Sequence, residues 1–127
     1  MVERIALVGC GAAKRDEACP ARDMYTSAFF SLKRQYAEQF DDWYILSAKH
    51  GLLDPDEVID PYDQSIEDVD TATWADQVEK HLDNLGDVQL VFLCGRNYWE
   101  PLGLSGDTPL TDAGGMFDQM SWLSDRT

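Results

Sequence analysis

The chain has 127 residues, 44% of them hydrophobic, a length that fits one domain with a real core and excludes a disordered acidic tail. No apolar run approaches the ~20 residues of a membrane helix, so no membrane partner is expected. The formal net charge of −14, with only four lysines among ten cations, reads as adaptation to a salt-rich, halophilic cytoplasm, and in dilute buffer it repels nucleic acid.

Met1 to Ile5 leads straight into a strand-like segment, so no signal peptide is expected and the cytoplasm is the expected location. Ile5 to Gly9 is a continuous apolar run of the kind buried on both faces of a parallel sheet. Loop chemistry then extends from Gly11 to about Asp23. Thr26 or Ser27 is the expected N-cap of a helix carrying Phe29, Phe30, Leu32, Tyr36 and Phe40, which Asp41-Asp42 breaks. Trp43 to Leu46 is a second buried strand, entering Ser47-Ala48-Lys49-His50-Gly51. Leu52 to Asp70, with two prolines and many aspartates, reads mainly as loop, with room for an edge element. Thr71 or Thr73 is the expected cap of a helix with Trp74, Val78, Leu82 and Leu85 on one face, ended by Gly86. Val88 to Leu93 is a third buried strand entering Cys94-Gly95-Arg96-Asn97-Tyr98. A short helix follows, and Met116, Met120 and Leu123 space a helix in the tail.

These elements predict one α/β domain over residues 1–127: a small three-layer βαβαβ unit with a parallel sheet, strand order 2-1-3 and helices on both faces. In such a sheet the loops after the strands share one edge, where ligands bind at the switch in strand order. Lys14, Arg15, Lys49 and Arg96, four of the ten cations, fall in the three strand-end loops. A cationic edge on an acidic molecule focuses field on a phosphate or carboxylate. Gly11, Gly51 and Gly95 also fit tight strand exits. Gly9-x-Gly11 lacks the third glycine of a dinucleotide fingerprint and the Gly-Lys-Ser/Thr of a phosphate loop.

Adjacent in an extended segment, Lys49 and His50 are expected to point opposite ways. Lys49 reads as an anion clamp and His50 as a general acid or base, against a histidine bonded to a loop carbonyl. Asp60-Pro61-Tyr62-Asp63 sets an aromatic beside carboxylates, which suits a stacking pocket as well as a rigid turn. Cys10, Cys19 and Cys94 are an odd set without paired spacing, which argues against a disulfide framework. Cys10 and Cys94, with His50, lack metal-site spacing, so small residues closing strands are the preferred reading; no metal and no cofactor are expected.

Cys10-Gly11-x-x-Lys14, Met24-Tyr25-Thr26-Ser27 leading to Phe30, Trp43 through Leu53, Ile59 through Asp63, and Trp74-Ala75 together resemble a domain family of unknown function from bacteria, archaea and phages. The resemblance covers nearly the whole chain, and Ser47 to Leu53 is its most specific block. Pro109-Leu110, Gly114-Gly115 and Trp122-Leu123 fit the glycine-rich turn and amphipathic C-terminal helix of that family. That family is similar in turn to the YaaA-type peroxide-stress proteins, which implies a link to oxidative stress and DNA. The chain is about half the length expected of those proteins.

The resulting expectation is a nucleotide- or nucleobase-directed protein taking a small anionic or nucleobase-containing ligand. Cys10, Gly11, Lys14, Ser47, Lys49, Tyr62, Gly95, Arg96 and Tyr98 form its binding site, and His50 and Asp60 handle protons. Cleavage or exchange at a glycosidic bond is the first reaction to consider. Two other readings stay open, a non-catalytic DNA-associated or oxidative-stress module and a bare interaction domain. The composition leaves nucleic-acid binding at high salt and the oligomeric state open.

Overall fold

The computed structural model describes residues 3–127. Its central sheet holds β1 (Glu3–Gly9), β3 (Asp42–Ser47), β4 (Gly51–Leu53) and β6 (Val88–Leu93), in the order β4-β3-β1-β6. β1 pairs parallel with both β3 and β6. β4 runs antiparallel to β3, with Ile45 opposite Leu53 and Ser47 opposite Gly51. The sheet is therefore mixed and four-stranded, which corrects the expected purely parallel sheet of order 2-1-3. The reason is local. Gly51 adopts a φ of 73°, a left-handed conformation that lets the chain reverse after Ala48-Lys49-His50 and return along β3. A separate two-stranded ribbon joins β2 (Cys19–Pro20) to β5 (Val58–Ile59).

Helices cover both faces. Ala6, Val8, Ile45 and Val91 face α1 (Ala21–Met24), α2 (Ala28–Ala37), α5 (Pro109–Ala113) and α6 (Met116–Ser124), burying Met24, Phe30, Leu110 and Leu123. Ile5, Leu7, Leu46 and Phe92 face α3 (Thr71–Asp83), burying Trp74, Val78 and Leu82. The period-two alternation along β1 thus splits one strand between two cores. The Ser27 hydroxyl accepts from the Phe30 N–H and caps α2, as the sequence suggests. α3 is capped by Asp70, in place of Thr71 or Thr73; its carboxylate takes both the Ala72 N–H and the Thr73 hydroxyl.

After β1 the chain crosses to the α2 face. After β6 it enters α4 (Arg96–Trp99), whose Tyr98 and Trp99 pack on the α3 face. The two loops diverge, so the switch in strand order lies between the C-terminal ends of β1 and β6. No helix among the described residues is long and apolar enough to cross a membrane.

Candidate functional site

A cavity of about 500 Å³ opens at this switch point. Its floor is Gly9 at the end of β1 with Cys10, Gly11 and Ala12 of the loop after it, and Cys94 and Gly95 just after β6. Ser27, Phe29 and Lys33 of the α2 segment form one wall, Tyr98 of α4 another, and Met116 and Met120 of α6 a third. The strands approach closely here: a Cβ on Gly9 would stand 2.8 Å from that of Cys94. The cavity is largely apolar and aromatic, with a few polar groups set into it, the pattern of a small-molecule site.

Lys33 is its most unusual group. It lies on the buried stripe Phe30, Lys33, Ala37 of α2 and is only 6% exposed. Its Nζ donates to the Gly9 carbonyl at 3.0 Å and stands 4.6 Å from the centre of the Phe29 ring. Burial lowers its pKa from 10.5 to about 8, against an opposing pull from the Cys94 and Cys10 thiols. Cys94 is buried beside it, and burial pushes its thiol up to about 12. Cys10, partly exposed, has its Sγ 3.2 Å from the Tyr98 hydroxyl, and Tyr98 is raised above the ordinary phenol range, chiefly by burial.

A second polar cluster adjoins the cavity around Tyr62. The Ser47 Oγ accepts the backbone N–H of Lys49 at 3.3 Å and of His50 at 3.1 Å, so its own hydrogen points on to the Tyr62 hydroxyl at 2.8 Å. Tyr62 passes its hydrogen to Tyr25 at 2.7 Å. Burial raises both phenols. The loop after β1 is pinned against Tyr25 by backbone bonds from Arg15 to Met24 and from Thr26 to Ala13. That places the Lys14 Nζ 4.5 Å from the Tyr62 ring centre and 3.3 Å from the Ala12 carbonyl at the cavity rim. The Lys49 Nζ lies 5.9 Å from the same ring, and the His50 ring meets its edge at 5.4 Å. Burial, then the Lys49 charge, lowers the His50 pKa, which favours the neutral ring. Tyr62→Phe breaks the hydroxyl chain in its middle and is expected to cost about 1–3 kcal/mol in urea unfolding. A loss below a few tenths of a kcal/mol would show that the chain carries no stability.

The predicted site residues therefore divide. Cys10, Gly11, Gly95 and Tyr98 line the cavity, whereas Lys14, Ser47, Lys49, His50 and Tyr62 form the neighbouring cluster. Lys49 and His50 sit in the β3–β4 turn, not in the extended segment expected of them. Arg96 is held on its own helix, 3.8 Å from the Glu100 carboxylate and over the Trp99 ring. Asp60 is exposed. Sequence reasoning missed Lys33, Phe29, Met116 and Met120. For Lys33 a signal existed, a lysine three residues after Phe30 and four before Ala37 on the core stripe. Among the described residues no three His, Cys, Asp or Glu side chains gather as a metal site.

A segment of 65 residues is 40% identical to the "Uncharacterized protein YfjM" of Bacillus subtilis (strain 168), covering 46% of this chain and 43% of that protein. The chain thus matches less than half the length of this curated relative. No solved structure matches it. The model for the "Family of unknown function (DUF6884)" matches residues 5–125, and the chain belongs to that family.

Proposed function

We propose that the chain binds a small nucleobase-bearing anion at the strand-end edge. The flat base enters the cavity against Phe29, Tyr98 and the two methionines, and its anionic group lies toward the Gly11–Lys14 rim. The observation that carries this reading is the cavity at the β1–β6 switch point, apolar within and bordered by the Lys14 amine. Aromatic walls bind a base face with little ordering cost. If the ligand turns over, the neutral His50 beside Tyr62 is the proton carrier, and a glycosidic bond is the first target to assay. The YaaA-type resemblance supplies the competing reading, a DNA-associated module.

Thermal melts in molar KCl and in dilute buffer, against nucleotides, nucleosides, free bases and short DNA, test this. At 100 times its dissociation constant a ligand adds about 2.7 kcal/mol, enough to move Tm by several degrees. A nucleotide is expected to raise Tm, Phe29→Ala to abolish the shift, and Lys14→Ala to remove the part that depends on phosphate. Equal shifts in all three proteins, or none, would refute the site. A shift with DNA alone would replace it by the DNA-associated reading.

A further inference from the structure

We propose that Lys33 is an imine-forming amine, and that the strand-end cavity accepts a small aldehyde or ketone with a flat or apolar body and holds it covalently on the Lys33 Nζ. The inference concerns the reactivity of one side chain and does not rest on the nucleobase reading.

The geometry supports it on three grounds. First, the amine is in the wrong place for an ordinary lysine. Buried lysines are rare, and Lys33 is only 6% exposed yet lines a cavity large enough for a drug-sized molecule. Second, it is fixed but not used up. One N–H is spent on the Gly9 carbonyl, and no carboxylate pairs with it among the described residues, whose ion pairs involve other cations. A lysine serving only as structural charge would have an acidic partner, and this acidic chain has many to offer. Third, the surroundings are apolar: Phe29 and Phe30 of its own helix lie 4.6 and 5.9 Å from the Nζ, and Cys10, Cys94 and Met120 line the same cavity. Burial brings its pKa to about 8, so at pH 7 it carries about 300-fold more free amine than a lysine at 10.5. Desolvation of a lysine in an apolar pocket is a general route to an amine nucleophile.

The reaction balances without a further reagent. The Nζ lone pair attacks the carbonyl carbon, and one amine proton passes to the oxygen, giving a carbinolamine. The C–O bond then breaks, and the oxygen leaves as water with the second amine proton. The products are an imine to Lys33 and one water. The Tyr98 hydroxyl, 3.2 Å from the Cys10 Sγ on the cavity wall and held protonated by its burial, is placed to assist that departure.

Reductive trapping tests this. The protein is incubated at pH 7 with benzaldehyde and sodium cyanoborohydride, which converts an imine to a stable secondary amine, and is then digested and mapped by mass spectrometry. The expected result is an adduct on Lys33 that forms at least about tenfold faster than on Lys14, Lys49 or Lys80, all of which are more exposed. Its rate should rise as pH passes through 8. In Lys33→Arg the fast adduct should vanish, and in Lys80→Arg it should remain. Adducts spread over the lysines according to exposure, or none on Lys33, would overturn the proposal. Trapping uses no nucleotide, so either result leaves the nucleobase reading to its own test.

Discussion

Trp74→Ala is expected to destabilise the chain by about 3–5 kcal/mol, a large part of the 5–15 kcal/mol that holds a domain together. Trp74 is buried on α3 and fills the core between that helix and the sheet. Its indole N–H donates to the Ser47 carbonyl at 2.9 Å, and its ring meets Tyr98 edge-on at 6.0 Å. One side chain thus ties the end of β3, where Ser47 joins the Tyr62 cluster, to Tyr98 on the cavity wall. Truncation removes the packing and the bond together and leaves a void that the sheet cannot fill. Trp74→Phe separates the two effects: most of the ring remains, the donor is lost, and about 1–3 kcal/mol should go with it. Urea unfolding with an unchanged m-value checks both. A loss under about 1 kcal/mol for Trp74→Ala would mean that α3 is not held to the sheet through this residue.

Lys33→Met is expected to stabilise the protein at pH 7 and to change the shape of its stability curve. The folded pKa of about 8 lies below the ordinary 10.5, so between these values the unfolded chain binds more protons than the folded one. Stability therefore rises with pH across that window, and below it the buried ammonium imposes its full cost, about 3 kcal/mol. Methionine keeps most of the stem and removes the charge. The gain at pH 7 is reduced by the lost bond to the Gly9 carbonyl and the lost contact with Phe29. Other groups act in the opposite sense. Cys94, raised from 9.0 to about 12, contributes stability that is present below pH 9 and lost through 12. Tyr25, Tyr62 and Tyr98, also raised, do the same above pH 10. Wild-type stability should thus climb from pH 8 and then turn over, while the difference between wild type and Lys33→Met isolates the amine. That difference should close as pH approaches 10.5. A difference constant with pH would show that Lys33 is not desolvated.

Much of the architecture was readable because the C-terminal halves of β1, β3 and β6 are buried on both faces and so appear as near-continuous apolar runs. Placing Cys10, Gly11, Gly95 and Tyr98 together needed only the rule that strand ends share an edge. The hairpin to β4 was not readable, because Ser47 to Gly51 looks the same whether the chain continues or reverses; the left-handed Gly51 decides it. β2 and β5 are two residues each, too short for any periodic signal. Asp70 was overlooked as a cap because two threonines follow it and aspartates are abundant throughout this chain. Lys33 falls on the apolar stripe of its helix, but helical lysines are normally solvated, so the sequence alone does not mark it as buried. Met116 and Met120 reach the cavity from a helix more than 100 residues beyond β1, and only tertiary structure brings them there.

The proposed site for nucleobase-bearing anions lies in the cavity between the ends of β1 and β6. An amide NMR titration of the 15N-labelled protein with adenosine and guanosine monophosphates reads this residue by residue. Saturable shifts are expected at Gly9, Cys10, Gly11, Ala12, Phe29, Gly95 and Tyr98, with little change on the outer face of α3. Absence of saturable shifts, or shifts confined to residues away from the strand ends, would contradict it.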